Sequence, residues 1–482
     1  MSIIENLEPK LLWKQFDEIR KIPRCSKNEG KIRKYILDFA KKHDFESKTD
    51  KVGNVVLIKP ASPGMEDKPT VVLQGHMDMV CEKNNDVEHD FSKDPIQLRK
   101  EGDKLLAQGT TLGADDGIGV ATALAIFEDK NLKLGPIEAL FTVDEETGLT
   151  GAFALGKDML TGKILLNLDS EDWGVLTVGC AGGGNSDINL PIKTKKIEGD
   201  FTGIKINVSG LRGGHSGVDI GEQRGNAIKL LNRILWKAST KYDIKIIDIA
   251  GGDKHNAIPR EANAEIAIEK KNKDELEKMI KDEEKAILNE IKPIDPKFKV
   301  EISDVKIDNV LDKESQTKLL NLINGLPHGV EKMSYDIEGL VQTSVNLAKV
   351  ETKDKAYHIQ LSSRSSIMSE LQYLRDKIRS TAELSGAKVE EDEPYPGWKP
   401  DMDSKILKLS KNIYKDMTSK DPKVEAIHAG LECGIIGEKF EGMDMISIGP
   451  TIKNPHSPEE EVHISTVDKF YDYVLDILKN AK

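Results

Sequence analysis

Histidine and acidic residues recur just after apolar runs. His76-Met77-Asp78 follows the run Val71–Gly75. On an extended chain, residues two apart point to the same side. An imidazole so placed can ligate a metal while the carboxylate holds its second ring nitrogen. Taken singly, such a pair also fits an ordinary surface. Gly113-Ala114-Asp115-Asp116-Gly117 sets paired acids among glycines at the mouth of an apolar helix. That fits a helix cap and turn, or glycines bending the backbone so that a carboxylate enters a crowded centre. Asp144-Glu145-Glu146 follows the run Ile137–Val143. Three adjacent acids repel one another and need a counter-charge there, unless they form a solvated loop. Asp169 ends the run Ile164–Asn167, and His456 lies in the Pro-containing turn Asn454–Pro458, after Met445–Pro450.

Together these place His76, Asp115, Glu146, Asp169 and His456 at the carboxyl ends of strands in one α/β unit, where open α/β sheets hold their ligands. Imidazole and carboxylate donors suit zinc, with cobalt or manganese as alternatives. Charge favours two metals. Two divalent ions carry +4, Asp115, Glu146 and Asp169 supply −3, and one bridging hydroxide supplies the rest, as in hydrolases whose two ions lie about 3.5–4 Å apart. Glu145 is left without a metal role and is the candidate general base. Competing chemistry is weaker. Gly214-His215-Ser216-Gly217-Val218 departs from the serine-hydrolase elbow at its last position. Gly182-Gly183-Gly184 is neither a Walker loop nor a dinucleotide fingerprint, and there is no H-E-x-x-H.

These residues must be positioned by an α/β sheet. Asn54–Ile58, Thr70–Gln74, Ile137–Val143 and Ile164–Asn167 read as strands buried on both faces, with a helix over Ile118–Asp129. Leu11, Leu12, Phe16, Ile19 and Ile22 predict an amphipathic first helix. From about residue 187 the strands alternate polar and apolar, as in Ile204–Val208 and Glu265–Glu269, and charged helices such as Lys273–Lys292 follow. An internal echo runs from Asn256–Arg260 through a strand to a helix at Asp274–Lys281, and again from Thr343–Asn346 through Tyr357–Ser363 to Glu370–Leu384. It predicts two related halves. After Glu393–Pro400, apolar strands return at Glu425–His428 and Met445–Ile448. The expected architecture is a discontinuous α/β catalytic domain (1–186 and 397–482) with a central mixed sheet flanked by helices, interrupted by an α+β domain (187–396).

The chain has 482 residues, more than one ordinary domain. Its net charge of −12 disfavours nucleic acid and anionic membrane surfaces as partners. The N-terminus has no secretory pattern, and the longest apolar-rich stretch, Gly117–Phe127, is too short to span a bilayer, so a cytoplasmic location is expected. Four cysteines, none in a CxxC pair, make no disulfide framework and no zinc ribbon.

The sequence resembles the metallopeptidase clan of di-zinc dipeptidases, tripeptidase T, carboxypeptidase G and aminoacylases, and within it the aminoacyl-histidine (Xaa-His) dipeptidase type. The matching segments are LQGHMDMV (73–80), GTTLGADDGIG (109–119), TVDEETG (142–148), LNLDSED (166–172), GCAGG (179–183), GLRGGHSG (210–217), NAIPREA (256–262), TSVN (343–346), YPGWKPD (395–401), IHAGLECG (427–434) and GPTIKNPHSPEEEVHI (449–464). The resemblance implies that His76 and Asp169 bind one zinc, Glu146 and His456 the other, and Asp115 both. It makes Asp78 the orienting acid of His76 and Glu145 the base acting on a water shared by the ions. It implies a cis bond after Asp115 and an inserted lid whose His215 stabilises the oxyanion. Asn256, Asn346 and Arg364 are expected to face the substrate, Arg364 pairing with a C-terminal carboxylate. Gly75 and Met77 replace the Ala and Leu expected beside His76, and Asp116 stands where Asn is also common. The expected reaction is hydrolysis of unblocked dipeptides of the Xaa-His type, β-alanyl-histidine included. Aminoacylase or tripeptidase activity, and a non-catalytic metal-binding scaffold, are the alternatives. A homodimer is the expected oligomer.

Overall fold

A computed structural model describes residues 3–482, which divide into two units. The first contains the chain up to Cys180, Trp398–Ala426 and Leu431–Lys482. The second is Ala181–Gly397 with the short return Ile427–Gly430.

The first unit is built on an eight-stranded mixed sheet. Its order is Glu46–Thr49, Val55–Lys59, Ile137–Thr142, Val71–His76, Ile164–Asn167, Asp444–Ser447, Val175–Cys180 and Lys423–Ile427. The four strands from Ile137–Thr142 to Asp444–Ser447 run parallel. Ile137–Thr142 and Val71–His76 are buried at every position. Continuous apolar runs produce this because a parallel strand is covered on both faces. Past its two opening acids, Ala114–Glu128 is likewise apolar all round and buried as far as Phe127. Lys59 caps its far end, donating to the carbonyls of Ile126 (2.8 Å) and Phe127 (3.0 Å). The first helix, Lys10–Ile19, buries Leu12, Trp13, Phe16 and Ile19 and stops before Ile22.

A buried polar chain ties the parallel strands together beneath their carboxyl ends. The Gln74 side chain accepts from Asn167 (2.6 Å) and donates to Glu432 (2.6 Å), and Ser447 donates to Asn167. Gln74 and Asn167 are register partners, each two residues before a predicted ligand on the same strand face.

The cysteines differ from the sequence expectation. Cys25 and Cys81 form a disulfide, while Cys180 and Cys433 are free and buried. Nothing in the 56-residue spacing announces the pair. The two meet because Cys25 bridges in parallel to Met79, whose N–H donates to Arg24.

The second unit carries a nine-stranded sheet, eight strands of which follow one order while the ninth, Gly329–Met333, pairs beside it with Val341–Lys353. One half places Lys299–Val305, Phe201–Ser209, Ala262–Glu269 and Lys245–Gly251 in that order, with helices Ala227–Lys241 and Lys273–Ile291. The other places Val341–Lys353, Ala356–Ser365, Gly182–Pro191 and Lys388–Glu391, with helices Lys313–Gly325 and Met368–Leu384. Numbered in chain order, the strands of each half stand 4-1-3-2 across the sheet, the second half being reversed. The halves join at one register pair, Gly251 and Val350. Residues of all four helices pack with both halves of the sheet in one apolar core. Among the described residues no helix is long and apolar enough to cross a membrane.

Candidate functional site

The carboxyl ends of the parallel strands carry His76, Glu146 and Asp169. Asp115 comes instead from a helix kink and His456 from the turn after the antiparallel strand Ile452–Lys453, so two of the five predicted ligands are not at parallel strand ends. His76 ends its strand, Glu145 and Glu146 open a short turn of helix after Ile137–Thr142, and Asp169 follows Ile164–Asn167. Asp115 sits where the buried helix kinks, and its bond to Asp116 is cis. His76 Nε2 stands 3.0 Å from Asp115 Oδ1 and 3.2 Å from Asp169 Oδ1. His456 Nε2 stands 3.1 Å from Asp115 Oδ2 and 2.9 Å from Glu146 Oε2. The structure thus makes two clusters that share Asp115, one carboxylate oxygen on each side.

Asp78 holds this arrangement. It is fully buried, with Oδ1 3.4 Å from His76 Nδ1. It also accepts from the backbone N–H of Glu145 (3.1 Å) and Glu146 (3.3 Å) and from the Ser26 hydroxyl (2.8 Å). One carboxylate therefore sets both the imidazole and the acidic turn. Arg24 is buried, donating to the carbonyls of Met77 (3.1 Å), Asp78 (2.5 Å) and Gly113. The departure at Gly75 has a steric reason. A Cβ there would lie 2.0 Å from Asp116 Oδ2, which accepts from the His76 N–H (3.2 Å).

The electrostatics describe anions crowded out of water. Burial, then the Asp169 carboxylate, pushes Asp116 well above the usual carboxylate range. Burial does the same to Asp169 against the pull of His76. Burial, reinforced by Glu432, Glu146 and Asp115, raises Glu145 to about 8. Burial works against charge on His76, yet Asp169, Asp115 and Asp78 hold its pKa well above the ordinary value. Hydrogen bonds to Asp115 and Glu146 raise His456 to about 11. Buried anions of this density call for cations. The donor set fits them. His76, Asp115 and Glu146 offer ligand atoms all within 4.8 Å of one another, and Glu146 Oε1 is buried without a hydrogen-bond partner. A second acidic group, Glu29, Asp78 and Asp144, is equally compact. Its oxygens are taken by donors, including the N–H of Lys27 and Asp144 on Glu29 and the Thr147 hydroxyl on Asp144.

The second unit assembles a separate polar group. His215 Nδ1 accepts from the N–H of Gly217 (3.2 Å) and Val218 (3.1 Å), which leaves its proton on Nε2. Burial, then Arg364, lowers its pKa. Arg364 is 7% exposed, donates to the Tyr395 hydroxyl (3.0 Å) and has an Nε without a partner. Among the described residues no carboxylate pairs with it. Arg364 and Ser344 are cross-strand partners, and Ser344 bonds His428 Nε2 (2.7 Å). Burial lowers His428 to about 3. Asn346 donates to the carbonyl of Ala257 (2.8 Å), and its Oδ1 is buried without a partner. Asn256 is exposed, and its carbonyl accepts from the Ser216 N–H. Gly217 permits the close packing, because a Cβ there would lie 2.2 Å from the His428 carbonyl. Sequence reasoning missed Arg24, Glu432, Glu460, Tyr395 and His428. The last four lie inside the segments that carry the family resemblance, and no motif or spacing marks Arg24.

Comparison with known proteins agrees with this chemistry. Residues 72–480 match the model of peptidase family M20/M25/M40. The chain is 41% identical over 480 residues to the cytosol non-specific dipeptidase of Escherichia coli K12, covering 99% of each. The crystal structure of aminoacylhistidine dipeptidase from Vibrio alginolyticus superposes with a TM-score of 0.95 at 42% identity, covering 100% of this chain and 98% of that one. Aminopeptidase PepT from Bacillus cereus shares the fold, with a TM-score of 0.56 at 17% identity and 98% of each chain covered. A parallel sheet ending in paired imidazoles and buried carboxylates, with these relatives, defines a metallopeptidase. The chain belongs to peptidase family M20/M25/M40.

Proposed function

We propose that the chain hydrolyses unblocked dipeptides, Xaa-His substrates among them, using two zinc ions, with cobalt or manganese as alternatives. The observation that carries this reading is the sharing of Asp115 between His76 with Asp169 on one side and His456 with Glu146 on the other. Those five side chains would hold the ions. Bound there, the ions would polarise a carbonyl and lower the pKa of a shared water.

The remaining steps belong to the chain's own residues. Glu145 takes a proton from the attacking water at its carboxylate and returns it to the leaving amine nitrogen. Asp78 keeps the His76 ring and the Glu145–Glu146 turn in place. His215, its proton on Nε2, donates to the developing oxyanion. Arg364, buried without a carboxylate of its own, pairs with the free C-terminal carboxylate of the substrate. Asn346 offers a carbonyl oxygen and Asn256 an exposed amide for its polar groups. The second unit acts as a lid. Xaa-His cleavage follows the name of the Vibrio alginolyticus relative, and cleavage of other dipeptides that of the Escherichia coli one, a non-specific dipeptidase. A cytoplasmic location and a homodimer complete the reading.

The test is a panel of Xaa-His dipeptides, other dipeptides, tripeptides and N-acyl amino acids. It is run on metal-stripped protein and after zinc, cobalt or manganese add-back. The expected result is dipeptide hydrolysis that vanishes on stripping and returns with metal. Preference for N-acyl amino acids or tripeptides would replace the reading by an aminoacylase or tripeptidase. Hydrolysis that survives complete stripping would sink it.

A further inference from the structure

The strongest unexplained feature of the first unit is the Glu460 carboxylate. It is 1% exposed, and its hydrogen-bond donors are backbone N–H groups. Oε2 accepts from the N–H of Leu112 (2.7 Å) and Gly113 (2.9 Å). Oε1 accepts from the N–H of Ala114 (2.7 Å) and Asp115 (3.3 Å). Four successive N–H groups on one carboxylate form an anion-binding concavity, and the charge strengthens each bond. The turn they make passes through Gly113 at φ +69°, where a Cβ would also lie 2.7 Å from Arg24 Nη2 and Met79 Sδ. The same turn delivers Asp115.

Glu460 comes four residues after His456. It therefore ties the segment carrying one predicted ligand to the segment carrying another, across 345 residues of chain. The clamp matters most for His456, whose side chain is 50% exposed. A packed core does not fix so open an imidazole, whereas the buried carboxylate down the same turn is fixed by four bonds.

We propose that Glu460 is a positioning residue that sets the separation of Asp115 and His456, and through it the affinity for the metal pair. This rests on the reading of those two residues as ligands. Glu460→Gln keeps the shape, removes the charge and turns an amide NH2 toward two N–H donors. Metal-stripped wild type and variant are titrated with zinc against a chromophoric chelator, and kcat and KM are measured at limiting and excess zinc. Supporting groups around metal ligands typically govern affinity by about 10–100-fold. The expected result is a loss of that size for one ion, a lowered kcat at limiting zinc that excess zinc restores, and an unchanged KM. Glu460→Asp, which keeps the charge on a shorter arm, is expected to recover part of the affinity, and it serves alone if the Gln variant does not fold. Wild-type affinity for both ions in either variant overturns the proposal, including the case where only thermal stability falls. Failure of the wild-type protein to bind two zinc ions would instead overturn the reading of the ligands.

Discussion

The two polar constellations are unfinished in opposite senses. In the first unit, carboxylates crowd two imidazoles, and burial lifts Asp116, Asp169 and Glu145 toward the neutral form. In the second, a buried guanidinium meets no carboxylate among the described residues, and two histidines near it are driven neutral. The first lacks positive charge and the second lacks a negative one. A protein that compensated every charge for stability would have neither. Uncompensated charge of one sign asks for cations, and of the other for an anionic ligand.

The contrast can be broken most forcefully at Glu145. Glu145→Gln is expected to lower turnover by about 10²–10⁴-fold while metal content is unchanged. Unchanged turnover would remove the base from the mechanism. Chelation is the next largest effect. A ligand present at about 1,000 times its dissociation constant contributes roughly 4 kcal/mol. Stripping should therefore lower the unfolding midpoint and the hydrogen-exchange protection around His76–Asp78 and Asp144–Glu146, leaving Val341–Ser365 as before. Equal loosening of both regions would erase the distinction.

The neutral histidines of the second unit should show in the pH dependence of stability. Burial lowers His328 to about 4, and its Nδ1 accepts from Asn226 (3.3 Å) and the Leu347 N–H (3.4 Å). Below pH 6.5 the unfolded chain takes a proton that the folded chain refuses until about pH 4. Stability from this group is thus complete above 6.5 and falls as pH drops toward 4. At about 1.4 kcal/mol per unit, wild type should lose on the order of 2 kcal/mol more than His328→Gln between pH 6.5 and 4.5 in urea unfolding. Parallel curves would show that this histidine is protonated in the fold. Arg364→Leu should have an effect of similar size, read in turnover. One charged hydrogen-bonding partner is worth about 1.5–3 kcal/mol, so kcat/KM for dipeptides should fall about 10–100-fold, while dipeptide amides are unaffected. An equal loss for amides would deny the guanidinium its carboxylate.

The sequence made His76, Asp115, Glu146, Asp169 and His456 legible for a topological reason. His76, Glu146 and Asp169 follow apolar parallel strands, which bring such ends to one edge. Asp115 follows a glycine turn into a helix, and His456 lies in the Pro-containing turn after Ile452–Lys453. The strands Val71–His76 and Ile164–Asn167 and the helix Met368–Leu384 fall within a residue or two of expectation, because their apolar spacing is unbroken. Arg24 and Glu460 were invisible because their partners are backbone groups, which no spacing records, and Glu432, Tyr395 and His428 because their side-chain partners are distant in sequence. Arg24 binds three carbonyls, and Glu460 binds four N–H groups. Asp78 was read only through His76, whereas it also fixes the backbone of Glu145 and Glu146. The disulfide escaped for the same reason, its cysteines being joined by a tertiary approach.

The parallel register of Asp444–Ser447 against Ile164–Asn167 has a consequence for biogenesis. As the chain leaves the ribosome, the edge of Ile164–Asn167 waits for a strand that lies about 280 residues downstream in sequence. At about 5–20 residues per second this takes roughly 15–55 s. During that interval Leu165 and Leu166 lie on an open parallel edge, available to any other extended segment. The nascent chain is therefore most prone to aggregate after its first domain-sized stretch has emerged and before its last has. Chaperone demand should peak in that window.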